Sequence, residues 1–123
     1  MSIDNVWIAT YSPDGRFIVT GISDGPARIL DAATGEEIRQ LRGHTDAVVS
    51  ASYSPDGRFI ATTSYDGTAR IWDAATGEAV RTLSNHEYVL SGTDYSPDAR
   101  FIVTGSSDGT AIIWDVADLM NPL

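Results

Sequence analysis

The chain is predicted to be all-β, made of three copies of a four-stranded antiparallel unit, and three observations point to it. First, Tyr11-Ser-Pro-Asp-Gly-Arg-Phe17 returns as Tyr53 to Phe59 and again, with Ala99 for glycine, as Tyr95 to Phe101, a spacing of 42 residues each time. Second, each period is a series of short apolar runs separated by turn residues, which fits four strands rather than helices. Third, the punctuation is hairpin chemistry, with Asp66-Gly67 the strongest short hairpin signal in the chain.

The second copy shows the unit most fully. Strand a is placed at residues 48–53, strand b at 59–64, strand c at 69–73 and strand d at 79–83. Between a and b, Ser54-Pro55-Asp56-Gly57 sets proline, with its fixed φ, ahead of Asp and a glycine free to adopt positive φ. Asp66-Gly67 joins b to c, and Ala74-Ala75-Thr76-Gly77 joins c to d. Strands b and c carry few polar residues on either side, as expected of a sheet covered on both faces. The period divides the chain into units at about 1–42, 43–84 and 85–123.

Composition narrows the functional classes. With 42% hydrophobic and 20% charged residues the chain should fold. No apolar run approaches the roughly 20 residues that span a bilayer, and no basic, then apolar, leader opens the sequence. The expectation is a soluble protein without membrane contact. The absence of cysteine removes disulfides and thiolate sites and leans toward the cytosol. A net charge of −9 opposes binding to phosphate backbones. All cations are arginines, and Arg16, Arg58 and Arg100 recur at one repeat position, which is periodic decoration rather than a nucleic-acid-binding patch.

Gly43-His44 near the start of the unit, Ser-Pro-Asp-Gly in the first hairpin, Asp-Gly in the second and Trp72-Asp73 at the end of strand c resemble the WD40 repeat, the blade of a β-propeller. The match runs through nearly the whole chain in register. The resemblance implies a buried hydrogen-bond network in each blade, carried by His44, Thr62, Asp66 and Trp72 in the second copy and His86, Thr104, Asp108 and Trp114 in the third. The first copy keeps Thr20 and Asp24 but has Leu30 in the tryptophan position and Ser2 in the histidine position, so its network is expected to be incomplete. If the turn glycine requires positive φ, Ala99 costs on the order of 1 kcal/mol.

In this register strand d of the third copy would begin near residue 121, so the last blade is expected to lack most of its outer strand, with residues 119–123 a candidate replacement beside strand c. Three blades leave two apolar faces open, and propellers close at about four to eight blades. The expectation is a ring completed by oligomerisation: a homodimer supplying six blades is favoured, and a trimer supplying nine is the alternative.

His44, Asp66 and Ser64 also allow a hydrolase reading as a Ser-His-Asp set. The recurrence of His and Asp at His86 and Asp108, without a nucleophile elbow or oxyanion-hole motif, favours architecture over catalysis. No calcium-loop, zinc or phosphate-loop spacing is present, so neither metal nor cofactor is expected. What remains is protein or peptide recognition. The resemblance places it on the surface of the d–a and b–c loops, at Asp46, Tyr65, Tyr88 and Ser107, with the two tyrosines the strongest candidates. Net acidity favours basic partners through steering. The alternative is an assembly unit, natural fragment or engineered, whose only partner is its own copies.

Overall fold

In the computed structural model, residues 6–23, 25–84 and 90–119 are described. Among them lie eleven strands in three antiparallel sheets. The first sheet contains β1 (Val6–Tyr11), β2 (Phe17–Ile22), β3 (Ala27–Asp31) and β4 (Glu37–Leu41), in that order. The second contains β5 (Val48–Tyr53), β6 (Phe59–Ser64), β7 (Ala69–Asp73) and β8 (Ala79–Leu83). These four are the strands that turn chemistry places in the second copy. The third sheet contains β9 (Leu90–Tyr95), β10 (Phe101–Ser106) and β11 (Ala111–Asp115), with a 3-10 turn at Ala117–Leu119. Of the candidate edge segment, residues 119–123, Leu119 ends this 3-10 turn and residues 120–123 lie outside the described residues.

The repeated Ser-Pro-Asp-Gly turn explains why each unit starts alike. Ser54 Oγ donates to Asp56 Oδ1 at 2.6 Å and accepts the Phe59 amide at 3.0 Å, while the Arg58 amide donates to the same carboxylate oxygen at 3.0 Å. Ser12 with Asp14 and Ser96 with Asp98 repeat these bonds. The turn needs a left-handed residue: Gly15 has φ 73°, Gly57 φ 77°, and Ala99 adopts φ 63°. Ala99 therefore carries the strain anticipated for it. It is also buried in the core, so its methyl group offsets part of that cost.

The sheets stack face to face, and the core lies between them. On one side of the second sheet, Val48, Ala51, Tyr53, Ile60 and Trp72 pack against Val19, Ala27, Ile29 and Leu41 of the first. On its other side, Phe59, Ala61, Ala69, Ile71 and Leu83 pack against Tyr95, Ala99, Ile102 and Val116. Burial on both faces explains why all six residues of β6 are buried. Two arginines tie neighbouring sheets: Arg39 Nη1 donates to the Ala74 carbonyl at 2.6 Å, and Arg81 makes a two-pronged contact with Asp118 at 2.6 and 3.2 Å. The outer faces are open, with Ile113 71% exposed on the third sheet and Tyr11 65% exposed on the first.

Candidate functional site

The second sheet gathers His44, Thr62, Asp66 and Trp72 into one chain of hydrogen bonds. Trp72 and Thr62 sit opposite each other's strand on β7 and β6, where the indole Nε1–H donates to Thr62 Oγ1 at 2.8 Å. The Thr62 hydroxyl stands 2.7 Å from His44 Nε2, and His44 Nδ1 stands 2.9 Å from Asp66 Oδ2. An indole can only donate and a carboxylate can only accept. Nδ1–H therefore donates to Asp66. Thr62, already accepting from the indole, keeps a second lone pair and its own proton for Nε2, so the direction of that contact is set by the charge of the ring: a neutral imidazole with its proton on Nδ1 accepts from Thr62.

The electrostatics agree. Burial pulls the His44 pKa below its ordinary value; the Asp66 carboxylate pushes it up without offsetting that, and Arg70 adds to the lowering. Burial acts to raise Asp66, but hydrogen bonds from Thr68, His44 and the Thr68 and Thr45 amides outweigh it and hold the carboxyl at about 2. The Thr68 hydroxyl donates to Asp66 at 2.6 Å and the Thr45 amide at 3.0 Å. The carboxylate thereby joins the b–c turn to the loop that carries His44.

Both shifts have the same stability sign. His44 is depressed on folding, so its contribution is present above the unfolded value of 6.5 and declines as pH falls below it. Asp66 moves from 3.8 to about 2, so its contribution is present above 3.8 and is lost as pH falls toward 2. Urea midpoints measured near pH 7.5, 5 and 3 should decrease in that order. The His44→Asn variant should show a smaller drop between the first two pH values than the unmodified chain; an equal drop contradicts the account.

Ser64 does not complete a triad with His44. Its Oγ donates to the Asp46 carbonyl at 3.1 Å and accepts the Asp66 amide at 3.0 Å, and its side chain is fully buried. The hydroxyls at the imidazole are that of Thr62, fully buried at Nε2, and that of Thr68, 3.2 Å from Nδ1. Among the described residues, no group of three His, Asp or Glu side chains is placed to hold a metal ion, and no helix is long and apolar enough to cross a membrane.

In the third sheet Trp114 Nε1 donates to Thr104 Oγ1 at 3.0 Å, and Asp108 Oδ1 accepts the Thr110 hydroxyl at 2.6 Å. His86 lies outside the described residues. In the first sheet Leu30 is buried where tryptophan stands in the others, and Thr20 Oγ1 turns to the Arg28 carbonyl at 3.5 Å. Asp24, like Tyr88, is outside the described residues.

Of the recognition candidates, Tyr65, Asp46 and Ser107 are all exposed. Tyr65, 43% exposed, packs edge-to-face on Trp7, 48% exposed, with ring centroids 5.3 Å apart. Trp7 is the residue that repeat logic misses: its equivalents 42 and 84 residues on are Val49 and Ser91, so no period marks it. The remaining signal is a tryptophan on the first strand with no network role. Asp46 lines a groove of about 430 Å³ that also touches Ser23, Pro26, Arg42 and Thr45.

Comparison with known proteins places this geometry in a family. The model described as "WD domain, G-beta repeat" matches residues 35–73 and 77–115, more than half of the chain, and the "Anaphase-promoting complex subunit 4 WD40 domain" model matches residues 4–53. The U3 small nucleolar RNA-associated protein 15 homolog of Gallus gallus is 40% identical over 45 residues, 37% of this chain and 9% of that protein. An uncharacterized WD repeat-containing protein of Nostoc sp. is 40% identical over 48 residues, 39% of this chain and 3% of its own length. The chain thus spans under a tenth of these relatives. The β-propeller domain of Cps50 (Swd1) from Myceliophteria thermophila superposes with a TM-score of 0.86 at 21% identity, over 94% of this chain and 37% of that one. With its repeated turns, stacked sheets and Thr62–Trp72 pairing, the chain belongs to the WD40-repeat family and forms a segment of a β-propeller.

Proposed function

We propose that the chain is a non-catalytic interaction scaffold that presents a protein-binding surface on its d–a and b–c loops. The observation that carries this reading is the division of its side chains. The groups with catalytic potential, His44, Asp66 and Thr62, are consumed in an internal brace, whereas the aromatic pair Trp7 and Tyr65 stands exposed at the loop end of the sheets. Exposed, mutually packed aromatics offer rigid contact area of the kind enriched in binding hot spots. Asp46 and the net charge of −9 favour a basic peptide or protein. Substituting Trp7 and Tyr65 with alanine should weaken capture of such a partner by tenfold or more, as the loss of more than about 1.4 kcal/mol at a hot spot implies. Circular dichroism should stay unchanged. Undiminished capture by the folded double variant overturns the assignment.

The same reading includes self-assembly. The blades, taken as residues 1–42, 43–84 and 85–123, close head to tail with further copies, two chains giving six blades and three giving nine. The support is the apolar character of the two open faces, where Val103, Ile113 and Tyr11 are exposed. Contiguous exposed apolar surface marks an interaction site. A second reading, a unit with no partner except its own copies, rests on the same faces; it predicts assembly without capture of any other protein.

A further inference from the structure

We infer that a second copy docks the open face of its first sheet onto the open face of the third sheet, reproducing the contact already made between the first and second sheets. This deepens, and rests on, the self-assembly reading above, and it specifies which surfaces meet and in what register.

The repeat supplies the comparison. Each sheet has a forward face that meets the next sheet and a rear face that meets the previous one. The forward face of the first sheet carries Val19, Gly21, Ala27 and Ile29, and at the corresponding positions of the third sheet stand Val103, Gly105, Ala111 and Ile113. The second sheet differs, with Ala61 and Thr63 for the valine and glycine. Rear faces divide the same way at most positions. Val48, Ala51, Tyr53 and Ile60 of the second sheet correspond to Val6, Ala9, Tyr11 and Ile18 of the first, with Leu30 for Trp72, whereas the third keeps the tryptophan as Trp114 and has Leu90 and Thr93 in the sequence for the first two. Two kinds of contact are thus encoded. A forward Val and Gly accompany a rear Ala and Val; a forward Ala and Thr accompany a rear Thr. The two open faces, forward on the third sheet and rear on the first, are the two halves of the first kind.

The fit is close-packed rather than merely apolar. A Cβ on Gly21 would lie 2.5 Å from the Val48 carbonyl oxygen and 3.0 Å from Val48 Cγ1, so this position must be glycine for the neighbouring strand to approach as it does. Gly105 keeps that space on the open face, where among the described residues a Cβ would meet only Ser91 Oγ, at 3.1 Å. The other kind of contact is less well satisfied: Thr63 and Thr93 bury hydroxyls that have no hydrogen-bond partner among the described residues. The exposures measure what docking would cover. Val19 and Ile29 are 0% and 1% exposed, against 41% and 71% for Val103 and Ile113.

The test uses the absence of cysteine from the chain. Ser52 Oγ donates to Asp94 Oδ1 at 3.3 Å between the second and third sheets. One period on, the same pair falls between Asp94 of one copy and Thr10 of the next. The Thr10→Cys, Asp94→Cys double variant, oxidised or bridged by a short bismaleimide, should give covalent dimers, while Ser52→Cys, Asp94→Cys should cross-link within one chain and calibrate the reach. Gly105→Thr, which copies Thr63, should weaken association tenfold or more without loss of fold. If the chains associate but the Thr10 and Asp94 pair never links while the calibrating pair does, or if Gly105→Thr associates as the unmodified chain does, this interface is overturned and self-assembly by other surfaces stands. A chain that stays single overturns both.

Discussion

Replacing Trp72 with alanine should destabilise the chain by about 3–5 kcal/mol, the range for deleting a large buried aromatic side chain. Trp72 is 0% exposed and sits where the first and second sheets pack together. Its removal opens a cavity beside Ile60 and takes away the donor to Thr62. Domains of this kind are stable by only about 5–15 kcal/mol, so the variant should unfold at a much lower denaturant midpoint. Trp72→Leu should cost less, because leucine occupies the equivalent buried position at Leu30. Trp114→Ala should also cost less, since Trp114 is only partly buried. Denaturant titration checks all three; a Trp72→Ala loss below about 1 kcal/mol, or one no larger than that of Trp114→Ala, contradicts the role assigned to this side chain.

The Ile113→Asp variant should abolish the proposed head-to-tail association, with at least a hundredfold loss of affinity, and leave the individual chain folded. Ile113 is exposed within the single chain, so the substitution removes no internal packing. Its counterpart Ile29 is 1% exposed against the second sheet. A carboxylate driven into that environment would lie desolvated without a partner, at a cost of several kcal/mol. Sedimentation and circular dichroism on the same sample separate the two effects. Loss of assembly with the β spectrum intact is the expected result, and unchanged assembly counts against docking through this face.

Much of the fold is legible in the residues because turn chemistry leaves little freedom. Proline, Asp and a positive-φ glycine set the ends of β5 and β6, Asp66-Gly67 sets the next hairpin, and Gly77, with φ 78°, closes the last. With both ends of each strand pinned, alternation does the rest. The brace is legible in its members but not in its direction. That Nδ1 carries the proton follows from its contact with the Asp66 carboxylate, and that Thr62 donates to His44 follows from the burial that keeps the ring neutral. The hydrolase reading fails on a point spacing cannot supply. Thr62 and Ser64 lie two residues apart on one strand, and it is Thr62 that meets the imidazole, whereas Ser64 turns to the Asp46 carbonyl. Trp7 escapes periodic reasoning because its role is not periodic. The complementarity of the open faces is written in Val19, Gly21, Val103 and Gly105, but it acquires meaning only once Gly21 is seen under the Val48 carbonyl.

The most direct test of the account is the solution mass of the unmodified 123-residue chain, measured by sedimentation equilibrium or native mass spectrometry across micromolar concentrations. The proposed assembly predicts a discrete species of two chains, each of 13.2 kDa, with three chains the alternative ring. A folded species that remains a single 13.2 kDa chain throughout that range would contradict it.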